Sequence, residues 1–275
     1  MKTPPEEPLL SREPLLSREP VLVEKAGFVA TITLNDPPHN PLGLATVDRL
    51  EELFTKLASD ESVRVVVLTG AGDRTFSVGA NIKEFGTGIE KMGLKDFIGQ
   101  RLRVADLIES LPKPVVCAIR GACVGGGLEF ALACHFRIAA EGARIGLPEI
   151  ELGIVPAWGG TQRLTRTVGR AHALDIILRA KLISAEEAYR IGLVNEVCRP
   201  EELLDRAQAI AGELAEKPPI AVAGILKAVI EGGPLSLQEG LALEFAAVEA
   251  TSGTEDATEG VMAFLEKRKP VFRGK

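Results

Sequence analysis

Lys113-Pro-Val-Val-Cys-Ala-Ile-Arg-Gly121, followed by Ala122-Cys-Val-Gly125-Gly126-Gly127-Leu-Glu129-Phe-Ala-Leu-Ala-Cys134, is the stretch around which the chain is organised. Its first part is an apolar run of strand length bounded by Pro114 and Gly121, which reads as a buried strand. Three glycines then open a helix that is apolar on nearly every side from Leu128 to Cys134, so the helix belongs in the interior. Its one charge, Glu129, falls in the first turn, and a buried carboxylate without a partner is costly. The first amides of a helix lack intrahelical acceptors and, with the helix dipole, favour negative charge at that end. The charge can be transient, such as that developing on a carbonyl oxygen during reaction. This gives an oxyanion site at Gly126 with Glu129 one turn away. The structural alternative is a tight strand–helix contact that needs glycine, with Glu129 in a fixed hydrogen bond. A second glutamate, Glu149, follows in Ile145-Gly-Leu-Pro-Glu149-Ile-Glu-Leu-Gly153.

On the N-terminal side, Val21–Val23 and Phe28–Leu34 read as two strands turning at Lys25-Ala-Gly27. Thr46 to Ser59 is an amphipathic helix with Val47, Leu50, Leu53, Phe54 and Leu57 on one face. Val63–Leu68 is apolar throughout, as in a central or parallel strand. The glycine-rich segment Gly70–Lys83 then reads as a loop at a strand's carboxyl end, where open α/β sheets place ligands. It lacks a Walker lysine and does not fit the dinucleotide fingerprint. Residues 84–93, with Gly86, Gly88 and Gly93, read as a mobile segment, and Leu94–Leu111 as a helix.

On the C-terminal side, Arg137–Ala140, Arg144–Leu147 and Val194–Val197 are short strands. Gly153–Arg163 is a glycine-rich turn entering a helix, and Ala171–Arg179 is helical. Ser184-Ala-Glu-Glu187 has capping-box spacing. From Pro200 onward only helices are expected, over about 200–216, 219–231, 236–251 and 256–267. Three parts follow: a flexible proline-rich tail over 1–20, an α/β core over 21–199, and a helical C-terminal region over 200–275. The tail repeats Glu-Pro-Leu-Leu-Ser-Arg at 7–12 and 13–18 and carries no assigned function.

The 275 residues, 46% hydrophobic and 25% charged, suffice for a full core. The net charge of −6 weighs against a nucleic-acid surface. Four cysteines without paired metal spacing suggest a reduced, cytoplasmic setting and no metal site. No run approaches the roughly 18 apolar residues of a membrane span, so no membrane partner is expected.

Taken together, Phe76–Lys83, Lys113–Val116, Gly121–Glu129, Pro148–Gly153, Gly159-Gly-Thr-Gln-Arg-Leu164, Ser184–Val194 and Phe264–Arg268 resemble the enoyl-CoA hydratase/isomerase, or crotonase, superfamily over roughly residues 21–272. The resemblance implies a spiral of ββα units with a helical C-terminal region used in trimer formation, as a homotrimer or homohexamer. It implies an acyl-CoA thioester as substrate and no cofactor beyond the coenzyme A that the substrate carries. The thioester oxygen is expected on the backbone amides of Ala80 and Gly126. The hydratase branch has two glutamates, which map to Glu129 as base toward water and Glu149 as acid toward Cα. The expected reaction is reversible syn addition of water across the 2,3 double bond. Helix amides are expected to favour Glu129 as carboxylate, and repulsion between the two acids to ease protonation of one. Gly125 and Lys83 are expected at the substrate, Lys83 near the CoA moiety. Trp158 is a further substrate-binding candidate, a flat wall favouring cyclic or conjugated acyl groups; the alternative is a core tryptophan. Lys267-Arg268-Lys269 reads as solvated charge rather than a phosphate site. Asn81 and His135 depart from the family pattern, and His135 reads as a packing residue. Competing readings are enoyl-CoA isomerisation, thioester hydrolysis, and an RNA-binding role that the acidic balance disfavours.

Overall fold

The apolar strands at 65–70 and 115–119 lie side by side at the centre of a six-stranded sheet. The computed structural model describes residues 19–275; most of the proposed tail and its repeat lie outside them. The sheet runs β1 (Val21–Ala26), β2 (Val29–Leu34), β3 (Val65–Gly70), β5 (Val115–Ile119), β7 (Phe136–Ala140) and β10 (Glu196–Cys198), antiparallel only at β1–β2. The edge of the described chain is tied down, since Asn35 donates to the carbonyls of Glu19 and Pro20.

Strand side chains alternate between faces, so a continuous apolar run needs cover on both. Val66, Leu68, Cys117 and Ile119 join the larger core with α1 (Leu44–Ser59), α3 (Leu94–Glu109) and α4 (Gly126–Ala133). Val65, Val67, Val116 and Ala118 face the other way, onto Leu203, Ala207, Ala211 and Ala215 of α7 (Leu203–Ala215). Each fully buried Val, Leu or Ile contributes about 1.5–3 kcal/mol of transfer free energy. The first helix of the all-helical run therefore covers the sheet. In contrast, α8 (Pro219–Gly232) and α9 (Leu237–Ser252) pack on each other and bury no residue fully. α10 (Glu255–Glu266) follows them.

A second sheet is built from four short strands in the order β4 (Thr75–Ser77), β6 (Ala122–Val124), β8 (Arg144–Gly146) and β9 (Ile183–Ser184). Each turn of the chain gives one strand to each sheet and then a helix: β3-β4, β5-β6-α4, β7-β8. This is the spiral of ββα units. The sequence reading left β4 inside a loop and β6 among the helix-opening glycines, because two or three residues carry no usable periodicity.

Two further differences concern helices. Residues 84–93, expected to be mobile, mostly form α2 (Ile82–Met92). Asn81 caps it by accepting from the Lys83 amide at 3.2 Å, while Glu84 accepts from Asn81 Nδ2 at 2.7 Å and from the Leu44 amide at 2.8 Å. α5 (Gly160–Leu178) begins well before Ala171 and is broken at Gly169, whose φ of 78° and ψ of 161° are not helical. α6 (Ala185–Arg190) starts at the Ser184 cap read from the sequence.

Candidate active site

Every residue of α4 is buried, and Glu129 is 2% exposed. Its Oε1 accepts two backbone hydrogen bonds, from Trp158 N at 2.7 Å and Gly160 N at 2.8 Å. Those donors stand at the start of α5, whose first amides are free of intrahelical acceptors. Glu129 is thus held by a neighbouring helix's N-terminus, not by the amides of its own helix. The expectation that helix amides would dominate its titration is corrected as well. Burial outweighs the hydrogen bond from Gly160, and with the nearby charge of Glu149 pushes the carboxyl up to about 7; Trp158 N–H and the Arg163 cation pull the other way.

Glu149 begins a short 3-10 turn, Glu149–Leu152, directly after β8 and Pro148. It lies against Gly125: a methyl group there would fall 3.2 Å from Glu149 Oε1. Its Oε2 is buried and has no hydrogen-bond partner among the described residues. Burial raises this carboxyl too, against a bond from its own amide.

Gly125 has φ 55° and ψ −133°, a conformation open to glycine, and it turns β6 into α4. Gly126 is the first helical residue, so its N–H has no acceptor within α4. The segment carrying Ala80 is pressed against it: a methyl group at Gly79 would lie 2.7 Å from Gly126 N. Ala80 forms an isolated parallel bridge with Leu42, in which Leu42 N donates to Gly79 O at 2.7 Å and Asn81 N to Leu42 O at 3.4 Å. Backbone groups alternate sides along an extended segment, so the N–H of Ala80 is turned away from Leu42. The structure therefore brings the Ala80 and Gly126 segments, Gly125, Glu129 and Glu149 into one neighbourhood.

Trp158 is 3% exposed and is part of the main core, with its ring centroid 5.5 Å from that of Phe130. Its six-membered ring lies on Gly126, and any side chain at Gly126 would overlap it. The tryptophan therefore touches both the glycine and, through its amide, Glu129. Lys83 is exposed on the first turn of α2, three residues after Ala80. His135 links elements: its Nδ1 accepts from Val115 N at 2.8 Å and its Nε2 meets Glu109 O at 3.1 Å. In the basic run, Arg268 pairs with Glu259 and Glu266, and Lys269 with Glu216.

The sequence reading missed two arginines beside the site. Arg101 on α3 is 1% exposed, stacks on the Phe97 ring at 3.5 Å and faces the Trp158 ring at 5.7 Å. Arg163 on α5 pairs with Glu109 and Asp106 of α3. Their near-sequence contacts, Arg101 with Phe97 and Gln100 and Arg163 with Trp158 O, are ordinary short-range spacings that do not announce a site. Among the described residues, no group of His, Cys, Asp and Glu side chains is arranged to hold a metal, and no helix is long and apolar enough to cross a membrane.

Three successive ββ units bring the Ala80 and Gly126 segments and the carboxylates of Glu129 and Glu149 together in an α/β spiral, and the comparisons with known proteins agree with that architecture. A crystal structure of an enoyl-CoA hydratase from Bacillus anthracis superposes with a TM-score of 0.89 at 39% identity, covering 93% of this chain and all of that one. A probable enoyl-CoA hydratase of Bacillus subtilis is 44% identical over 250 residues, 90% of this chain and 96% of its own length. A crotonyl-CoA hydratase of Syntrophomonas wolfei is 40% identical over 255 residues, 92% and 98% respectively. The sequence profile of enoyl-CoA hydratase/isomerase matches residues 24–275. The chain belongs to the enoyl-CoA hydratase/isomerase family.

Proposed function

We infer that the protein is an enoyl-CoA hydratase, and we propose that Glu129 and Glu149 carry the proton transfers while Ala80 and Gly126 bind the thioester oxygen. The observation that carries this reading is the two carboxylates beside Gly125–Gly126, the buried Glu129 fixed by two amides and the half-buried Glu149 with one buried, unpartnered oxygen. Addition of water to a 2-enoyl thioester places negative charge on the thioester oxygen. Two pre-set N–H donors there are worth several kcal/mol in the transition state, at about 3 kcal/mol each.

Glu129, ionised, takes a proton from water as the oxygen attacks Cβ. Its amide-bound Oε1 fixes the carboxylate and leaves the other oxygen for water. Glu149, protonated, gives its proton to Cα. Burial favours the neutral acid it must be. Delivery of the water hydroxyl to Cβ and of the Glu149 proton to Cα on the same face gives syn addition, and proton exchange with solvent, Glu129 losing and Glu149 regaining a proton, resets the pair. The two acids titrate as a pair, so their roles belong to the bound state as much as to each residue. The chemistry forms one C–O bond and moves protons without net oxidation or reduction, and calls for no cofactor beyond the coenzyme A of the substrate, near which the reading places Lys83 and, at the acyl end, Gly125 and Trp158.

The reading extends to a homotrimer or a pair of trimers. Its support is the apolar surface of the last helices: Leu237 is 80% and Phe264 82% exposed, with Ile225, Val229 and Phe245 also open to solvent. Such surface is normally covered by a partner. Light scattering on the purified protein gives the assembly. Incubation with crotonyl-CoA and analysis for hydrated, double-bond-shifted and hydrolysed products tests the reaction; absence of the 3-hydroxyacyl product would refute it.

A further inference from the structure

The turn that binds Glu129 is held from its other side by a second charged side chain. Arg163 Nη1 donates to Trp158 O at 3.3 Å, and its Nε and Nη2 donate to Glu109 Oε2 at 2.9 and 2.7 Å. Nη2 also reaches Asp106 Oδ1 at 2.7 Å. The Arg163 side chain is 11% exposed while its partners Glu109 and Asp106 are 34% and 68% exposed, so the guanidinium of this clamp is buried against the turn and its carboxylate partners reach solvent. The two glycines of the turn fit between the charged groups. A methyl group at Gly159 would overlap the Arg163 guanidinium, and one at Gly160 would fall 2.9 Å from Glu129 Oε1. Gly159 also has φ 103°, which other residues rarely adopt.

The clamp is itself anchored. Glu109 ends α3, and its carbonyl meets His135, which accepts from Val115 at the start of β5. A continuous path runs from the central sheet through His135, Glu109 and Arg163 to the amides that bind Glu129. We propose that Arg163 is a positioning residue for Glu129, acting through the Gly159–Gly160 turn that the two side chains clasp from opposite sides. This rests on the hydratase reading for its kinetic consequence but not for its structural one.

The charged groups around Glu129 on the elements packed against α4 are few. Glu149 lies beyond Gly125, Arg163 on α5, Asp106 and Glu109 behind Arg163, and Arg101 across the Trp158 ring. Of these, Glu149 raises and Arg163 lowers the titration of Glu129. Loss of the Arg163 cation therefore moves Glu129 upward, while a lysine at that position keeps the charge but loses the fork that grips Trp158 O and Glu109 together.

The test compares wild type, Arg163→Met and Arg163→Lys. It uses crotonyl-CoA hydration as a function of pH and ¹³C NMR titration of glutamate-labelled protein, with Glu129→Gln assigning the resonance. Arg163→Met is expected to lower kcat about 10–100-fold with little change in KM, and to move the Glu129 midpoint upward. Arg163→Lys is expected to keep the midpoint and recover part of kcat. A folded Arg163→Met protein with wild-type kcat and midpoint overturns the proposal, as does a loss confined to KM. If Arg163→Met does not fold, Arg163→Lys carries the test: reduced kcat at an unmoved midpoint supports the clamp, and wild-type kcat refutes it. If the wild type lacks hydratase activity, the hydratase reading alone is rejected; a Glu129 resonance broadened or split in Arg163→Lys but not in wild type then upholds the positioning role, and an unchanged resonance overturns it.

Discussion

Glu129 and Glu149 stand either side of the same glycine turn, yet their surroundings differ. Glu129, buried on α4, is fixed by two amides of the turn that opens α5, whereas Glu149 sits on a short turn with one oxygen buried and unpartnered. Two fixed donors define where an acceptor points, which suits a base that must align water. An oxygen with no protein partner suits an acid that must hold and release a proton. The same element of fold, a helix start following a glycine turn, supplies the donors at Glu129 and the N–H of Gly126.

Replacing either acid should have the largest effect. Glu129→Gln and Glu149→Gln are each expected to lower hydration kcat about 10²–10⁴-fold, with melting temperatures that show an intact fold. The double variant should lose far less than the product of the two. If one single variant retains near-normal turnover, the two pockets do not divide the work as described.

Gly126→Ala comes next, because a side chain there must displace the Trp158 ring. A loss of about 10²–10³-fold in kcat is expected from the misplaced donor, together with about 1–3 kcal/mol of destabilisation by overpacking. Denaturant unfolding beside steady-state kinetics checks both. An alanine variant with wild-type kcat would remove Gly126 from the oxyanion site.

The pH dependence sharpens the contrast further. Glu129 titrates near 7 in the folded chain against an ordinary 4.5, so the folded state holds the proton more tightly. Its contribution to stability is complete below about pH 4.5 and is lost as pH rises through 7, on the order of 3 kcal/mol in total. Activity should rise over the same upper range as the base ionises, so the site gains function as it loses stability. Thermal melts of wild type and Glu129→Gln at pH 5 and pH 8.5 check the sign: the glutamine variant should gain in relative stability at the higher pH. An equal difference at both pH values would contradict the assignment.

The smallest effect is expected at Arg101. Its Nε is the other buried side-chain atom without a partner among the described residues, and no carboxylate lies within ion-pair distance. Burial lowers its pKa to about 10, against the attraction of Asp48 and Glu84. Its Nη1 bonds Phe97 O at 2.8 Å and Gln100 Oε1 at 3.3 Å. Replacing a poorly compensated buried charge by an apolar residue of similar length is often neutral or stabilising. Arg101→Met should therefore change unfolding free energy by no more than about 1 kcal/mol, measured by urea titration. A large loss would mean that the stack on Phe97 and Trp158 carries more of the fold than this geometry implies.

What the sequence disclosed follows from the range of its signals. Glu129 stood out because one charge in an otherwise apolar helix is anomalous within a few residues. The long strands at 65–70 and 115–119 announced themselves by uninterrupted apolar runs. Of the second sheet only β8 was read, as Arg144–Leu147, because strands of two or three residues have little period to read. α2 was masked by Gly86 and Gly88, although Asn81 and Glu84 at capping spacing held the clue. The donors to Glu129 and the Glu109–Arg163 clamp join residues about 30 and 54 positions apart. No local pattern encodes such a pairing. α8 and α9 look as apolar as core helices, yet in the single chain none of their residues is fully buried. Apolar sequence does not by itself say whether a helix face is buried within its own chain.

The most direct measurement is hydration of crotonyl-CoA in heavy water, with the product read by NMR for wild type and both glutamine variants. The account predicts a 3-hydroxyacyl-CoA carrying one stereospecifically placed deuterium at Cα, formed at a rate that collapses when either Glu129 or Glu149 is changed. Free acid, a shifted double bond, or undiminished product from either variant would contradict it.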